Sequence, residues 1–205
     1  MQNMDPISYR RFASFEYVDP ENLLKEKGFL PTVELIQQGT FNGHRRKTVA
    51  EKYQAALFAY ILGQNNQFRP AISVCIKEDD DFDCVIRAVK PNGEIDFRTV
   101  QLKEFSNRDP KNLEIQIEID KLKKYSSGLL VVFWINRDVK IVFSKLDFSG
   151  LKIQQLWFMG ETSAGEVVLH GGLIRDLISG WYRIRILKNG KVQTSKRFFK
   201  LCQPI

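Results

Sequence analysis

The stretch that most constrains this chain is residues 82–104, FDCVIRAVKPNGEIDFRTVQLKE. Val85, Ile86 and Val89 in its first half and Ile95, Phe97, Val100 and Leu102 in its second supply β-branched and aromatic bulk. Such side chains pack well on a pleated surface, so the two runs predict two strands. Between them stands Pro91-Asn92-Gly93. Proline presets φ for the second position of a type I turn, and glycine takes the left-handed position that closes a three-residue hairpin loop. Lys90 then faces Glu94, and counting back along both arms sets Asp83 opposite Gln101. Lys103 shares the face of Gln101 because side chains alternate along a strand. A two-residue Asn-Gly loop would shift the register by one and break this alignment. Pro91 favours the longer loop, which brings a carboxylate, a carboxamide and an ammonium to one strand end.

The elements around the hairpin follow in order. Residues 42–47, NGHRRK, read as a basic loop running into a helix at Thr48. Thr48 and Glu51 match a capping box, in which each side chain satisfies an amide left open at the helix start. Tyr53, Ala56, Leu57, Tyr60 and Ile61 give a helical apolar stripe that ends near Gly63. Residues 70–76 predict a strand. Residues 110–126 are ambiguous: Leu113, Ile115, Ile117 and Ile119 alternate as in a strand, whereas Glu114, Gln116, Glu118, Lys121, Leu122 and Lys123 favour a helix. Residues 129–135 are almost unbroken apolar sequence, as in a strand covered on both faces. Such a strand is usually parallel to its neighbour and needs a crossover helix, which argues for a helix over 113–125. Further strands are expected over 139–144, 151–158, 166–170, 181–187 and 192–199, with Asn189-Gly190 turning between the last two. At the front, Asp19-Pro20-Glu21 starts a short helix stopped by Gly28. Residues 31–38 fit either a strand or a helix. The whole segment 1–41 is expected to pack on the core as an extension.

Asp83 followed by Gln101-Leu102-Lys103 resembles the core motif of the PD-(D/E)xK nuclease superfamily, and FDCVIRA with VQLKE is most similar to a group of uncharacterised bacterial proteins placed in it. The resemblance covers residues 48–143. In that superfamily an Asp starts the second strand, an acid-x-Lys sits on the third, and a preceding helix often donates a Glu, which Glu51 matches. Phe82 stands where the motif has Pro. Gln101 replaces the usual acid and offers only an uncharged amide oxygen. The resemblance implies an α/β fold: a mixed sheet flanked by helices with a restriction-endonuclease-like core, an N-terminal extension and a β-rich C-terminal addition over 151–205, all within one domain. It also implies Mg2+-dependent hydrolysis of phosphodiester bonds, with Mn2+ as a substitute and DNA preferred over RNA. Asp83, Gln101 and Glu51 would hold the metal, and Lys103 would hold the scissile phosphate and support attack by water. Gln116 and Tyr125 fall on the crossover helix, where related nucleases sometimes use such residues.

Charge agrees with a polyanionic partner: the 205 residues carry a net +7, with a pI of about 9.3. Arg45, Arg46 and Lys47 precede a helix start, where free amides favour phosphate; a solvated loop is the plainer reading. Lys121, Lys124, Arg183 and Arg185 are weaker phosphate candidates; His44 could carry protons, though a lone loop histidine is the plainer reading, and His170 lacks partners at metal-ligand spacing. Cys75, Cys84 and Cys202 form no CxxC pair, which excludes a zinc ribbon or a disulfide framework and suits a reducing compartment. The first residues carry an early Asp5 and no apolar core of a signal peptide, and no run approaches the roughly 20 apolar residues that span a bilayer. A cytoplasmic protein is expected. GxxxxGK[ST], GxSxG and GxGxxG are absent, so P-loop, hydrolase-elbow and dinucleotide chemistries lack support. Three readings remain: a nuclease, a non-catalytic nucleic-acid-binding module of the same fold, and a protein-interaction domain with a decayed site.

Overall fold

The computed structural model describes residues 6–25, 44–64, 71–77, 79, 81–106, 115–125, 128–136, 141–161, 167–174, 181–186 and 192–197. The chain forms two compact units, Met1–Val100 and Gln101–Ile205. The class is α/β with a mixed sheet.

The first unit contains α1 (Pro6–Ala13), α2 (Pro20–Lys25), α3 (His44–Gln64), β1 (Ala71–Ile76), β2 (Cys84–Val89) and the opening half of β3 (Ile95–Ser106). β1, β2 and β3 make an antiparallel meander. The hairpin register is the one that Pro91 predicts: Val89 pairs with Ile95 and Cys84 with Val100. The Lys90 N–H donates to the Glu94 carbonyl at 2.8 Å, and the Gly93 N–H donates to the Lys90 carbonyl at 2.9 Å. Gly93 sits at φ 80°, which a residue with a Cβ adopts only at a cost. Asn92 Oδ1 accepts from the Glu94 N–H at 3.0 Å, and a Lys90–Glu94 ion pair at 2.8 Å spans the loop.

α3 packs on β1 with Ala55, Ala56, Phe58, Ala59 and Ile61 wholly buried. This helix begins at His44, four residues earlier than the capping box predicts. Arg45, Arg46 and Lys47 are therefore helical rather than a loop, and Thr48 lies inside the helix. Arg and Lys propagate a helix well, and no Gly or Pro separates them from Thr48. Asp19 does cap α2, its Oδ1 accepting from the Glu21 N–H at 2.8 Å. α1 has no clear signal in the sequence, yet it supplies Phe12, whose ring meets Phe82 at 5.8 Å and Phe97 at 6.1 Å. Val18 bridges Val74 through two backbone hydrogen bonds. Residues 6–25 of the N-terminal segment thus pack on the meander. Residues 31–38 and Gly28 lie outside the described residues.

The second unit holds the rest of β3, α4 (Ile115–Lys121) continued by a 3-10 turn (Leu122–Lys124), β4 (Leu130–Asn136), β5 (Gln155–Glu161), β6 (Val167–Leu173), β7 (Trp181–Ile186) and β8 (Val192–Arg197). Within the ambiguous segment residues 115–124 are helical, with Ile115, Ile119 and Leu122 as the buried stripe, and residues 110–114 lie outside the described residues. β4 pairs in parallel with β5, Leu130 opposite Gln155, and β5 to β8 continue antiparallel. Residues 130–133 are no more than 2 % exposed, which explains the unbroken apolar run. The strand expected over 139–144 is not present among the described residues. Phe143–Lys145 forms a 3-10 turn, and the parallel partner of β4 is β5. Phe143 lays its ring against Phe158 at 5.1 Å and His170 at 4.1 Å, a packing role that an alternating pattern does not reveal. The Asn189-Gly190 turn lies outside the described residues. No helix among the described residues is long and apolar enough to cross a membrane.

Candidate functional site

Asp83 precedes β2, and its N–H donates to the Val100 carbonyl at 2.9 Å. Val100 is the partner of Cys84, so this bond is of β-bulge type: the paired register ends at Cys84–Val100, and the extra bond fixes the backbone that carries the carboxylate. Asp83 is 9 % exposed. The turn in front of it is closed by the Asp79 N–H, which donates to the Phe82 carbonyl at 2.9 Å. Arg11 of α1 pairs with the Asp79 carboxylate and lies over the Phe82 ring, 5.6 Å from its centre. The sequence gives no sign of this contact, because the partners are 68 residues apart and neither belongs to a motif.

Glu51 is half-buried on α3, one turn before the buried Ala55. Because α3 starts at His44, Glu51 lies two turns inside the helix. Its capping role therefore falls away, which removes the plainest competing explanation for a carboxylate at this place. Arg45, Arg46 and Lys47 form the first turn of α3, where cations oppose the helix dipole; their side chains lie outside the described residues.

In the second unit, Gln101 and Lys103 lie two apart on β3 and so share a face. Gln101 is 9 % exposed, and Lys103 is half-buried. The Lys103 ammonium sits 5.4 Å from the centre of the Tyr125 ring. Gln116 has a structural occupation: its Nε2 donates to the Asp147 carbonyl and its Oε1 accepts from the Asp147 N–H, each at 2.9 Å. That carboxamide ties α4 to the turn at 147–149. Lys121 is paired with Glu118 at 2.7 Å. Cys75 and Cys84 are free and buried, and burial raises both thiol pKa values, so neither is a ready nucleophile. The side chains of Arg183 and Arg185, and the whole of Cys202, lie outside the described residues.

Asp83 and Glu51 in the first unit carry carboxylate oxygens and Gln101 in the second an amide oxygen, the hard donor type that Mg2+ prefers. Among the described residues no group of three or more His, Cys, Asp or Glu side chains gathers to hold a metal. A site here would rest on fewer than three acidic ligands. Comparison with protein-family models, with curated proteins and with solved structures finds no match.

Proposed function

We propose that this protein is a metal-dependent phosphodiesterase of restriction-endonuclease-like type that acts on nucleic acid, DNA before RNA. The observation that carries the proposal is the hairpin register. With Cys84 paired to Val100 and Asp83 bonded to the Val100 carbonyl, the chain continues directly into Gln101-Leu102-Lys103. The succession α3, β1, β2, β3, α4, β4 is the helix, three strands, helix, strand order that the resemblance implies. The loss of a capping role for Glu51 adds weight.

In this reading Asp83, Gln101 and Glu51 would hold Mg2+, which would supply Lewis-acid chemistry, making water a better nucleophile and offsetting charge on the phosphate. Asp83 presents its carboxylate from a backbone fixed on the ladder. Gln101 contributes an oxygen without charge. Lys103 offers its ammonium to a phosphate oxygen, where it stabilises charge that grows as water attacks. The burial of Asp83 and Gln101 reduces competition from bulk water for these contacts.

The test is Mg2+-dependent nicking of supercoiled plasmid. Wild-type protein should cut, whereas D83N and K103A should lose cleavage while keeping a native circular-dichroism spectrum. Full cleavage by either variant would place the activity elsewhere. One observation favours a second reading, a non-catalytic nucleic-acid-binding module: no trio of acidic or histidine ligands gathers among the described residues. DNA binding that tolerates chelator, without nicking in any divalent metal, would select it.

A further inference from the structure

The lysines at the end of α4 and on the strand that meets Tyr125 are treated unequally by the fold. Lys121 is paired with Glu118 at 2.7 Å and Lys123 with Asp120 at 2.8 Å. Lys103 and Lys124 have no carboxylate partner among the described residues, and both lie 5.4 Å from the centre of one ring, that of Tyr125. The ring is held in place. The Tyr125 N–H donates to the Leu122 carbonyl at 3.0 Å, and Leu122 is 2 % exposed, anchoring the 3-10 turn. Lys103 comes from a strand and Lys124 from that turn, so the fold, not local sequence, brings the two ammonium groups to one phenol. Both gain from the negative face of the ring, yet they repel each other. An anion between or beside them removes that repulsion.

We propose that Lys103, Tyr125 and Lys124 form a phosphate-binding clamp for a nucleic-acid backbone, with the two ammonium groups as contacts and the phenol as their shared support. The clamp needs no metal. It rests on the nucleic-acid half of the function proposed above and adds a second residue, Lys124, to the contact made by Lys103. The net charge of +7 favours a polyanion over an isolated acidic side chain as the occupant. Lysine suits the task because it meets phosphate as a point charge without a fixed approach angle.

The experiment is fluorescence anisotropy of a labelled duplex DNA, titrated in EDTA over a series of NaCl concentrations. K103Q and K124Q should each weaken binding severalfold at low salt and reduce the slope of log K against log salt by about 1. Y125F, which keeps the ring, should match wild type. Y125L should reproduce part of the loss although both lysines remain. K121Q and K123Q, whose charges already have carboxylate partners, should leave the slope nearly unchanged. An unaltered slope in K124Q, equal losses in K121Q and K124Q, or no DNA binding by wild type in EDTA would each overturn the clamp. The catalytic proposal fails separately: EDTA-resistant binding with the expected slopes, but no nicking in Mg2+, would refute the nuclease and uphold the clamp.

Discussion

Replacing Gly171 with Ala should destabilise the protein more than any other single methyl addition at a described glycine. A Cβ built at Gly171 falls 2.2 Å from the Leu156 carbonyl oxygen, 2.7 Å from Trp157 Cα and 3.0 Å from Trp157 Cε3. The first two are backbone atoms, so no side-chain rotation relieves the contact. β6 must move away from β5 by roughly 1 Å, enough to lengthen a ladder hydrogen bond from about 2.9 Å to beyond bonding range. Gly171 pairs with Trp157 between His170–Phe158 and Gly172–Leu156, so the opening falls within the ladder. Two weakened hydrogen bonds cost about 1 kcal/mol each. Overpacking of the adjoining core, where Leu156, Met159 and Leu169 are wholly buried, adds about 1–3 kcal/mol. The expected loss is about 3–5 kcal/mol, at the upper end of what a single substitution costs. Urea unfolding followed by tryptophan fluorescence should show a midpoint lower by about 1.5–2.5 M, taking an m value near 2 kcal/mol/M. G93A supplies the contrast. Its φ of 80° is unfavourable for a residue with a Cβ, but nothing lies within 4 Å of the added carbon, so the cost should stay near 1 kcal/mol. Equal stabilities for G171A and G93A would refute the steric argument and the closeness of β5 to β6 on which it rests.

Other expectations follow from the same geometry. Q101E adds a negative charge to the donor set and should tighten Mg2+ binding about tenfold, or about 1.4 kcal/mol, with a larger gain at higher pH; calorimetric titration measures this, and no metal binding by either protein at millimolar concentration would remove the metal site. Replacing Arg45, Arg46 and Lys47 together with Ala should lower the salt slope of DNA binding by up to about 3 if all three contact phosphate, and an unchanged slope would remove the first turn of α3 from the interface. Asp120 is held below its ordinary pKa of 3.8 mainly by a hydrogen bond from Lys123 and then by Gln116, and Asp147 is held below the same value by the Ser149 N–H and hydroxyl. Depressed carboxylates stabilise the fold above the unfolded pKa and lose that contribution as pH falls through the folded value; D120N and D147N should therefore lower stability slightly at neutral pH, where wild type has the contribution, and converge on wild type as pH falls well below 3.8, which flattens the acid limb of a stability–pH profile. A full acid limb in both variants would contradict these interactions.

The sequence makes some of this architecture legible because certain residues have few alternatives. Pro91 and Gly93 define one loop and hence one register. The apolar run through residues 130–135 has to be covered on both faces, and a parallel neighbour follows. Other features depend on contacts between distant residues. The capping box at Thr48 satisfies a local rule, but a helix continues through any good helix former, and Arg45, Arg46 and Lys47 carry it back to His44. Phe143 belongs to an alternating segment, yet its ring is worth more against Phe158 and His170 than in a ladder. Arg11 is invisible in the sequence, and Tyr125, noted there only for its place on the crossover helix, gives no sign of its contacts, because the significance of each comes from partners: Asp79 and Phe82 for one, two lysines for the other. Gln116 shows the reverse case. It fits a catalytic pattern, but both ends of its carboxamide are spent on one backbone unit, Asp147.

Gln101 decides how far the nuclease comparison extends, and its burial bears on that question. At 9 % exposure, a carboxylate in this position would lose most of its hydration and require a counter-charge whenever metal was absent. A carboxamide has no such requirement, since hydrogen bonds alone satisfy it. The exchange therefore lowers the cost of the metal-free protein and, by the same reasoning, weakens the attraction for a divalent cation. A nuclease built this way would depend more on the substrate phosphate to complete the metal's shell, so that metal and nucleic acid bind with positive coupling. The coupling is measurable: Mg2+ titrations of D83N, wild type and Q101E with and without a non-cleavable phosphorothioate duplex should show the strongest enhancement by DNA in wild type. Q101E should show less, because its added charge already supplies what the phosphate contributes, and D83N should show none. Equal enhancement in wild type and Q101E would mean that residue 101 does not face the metal.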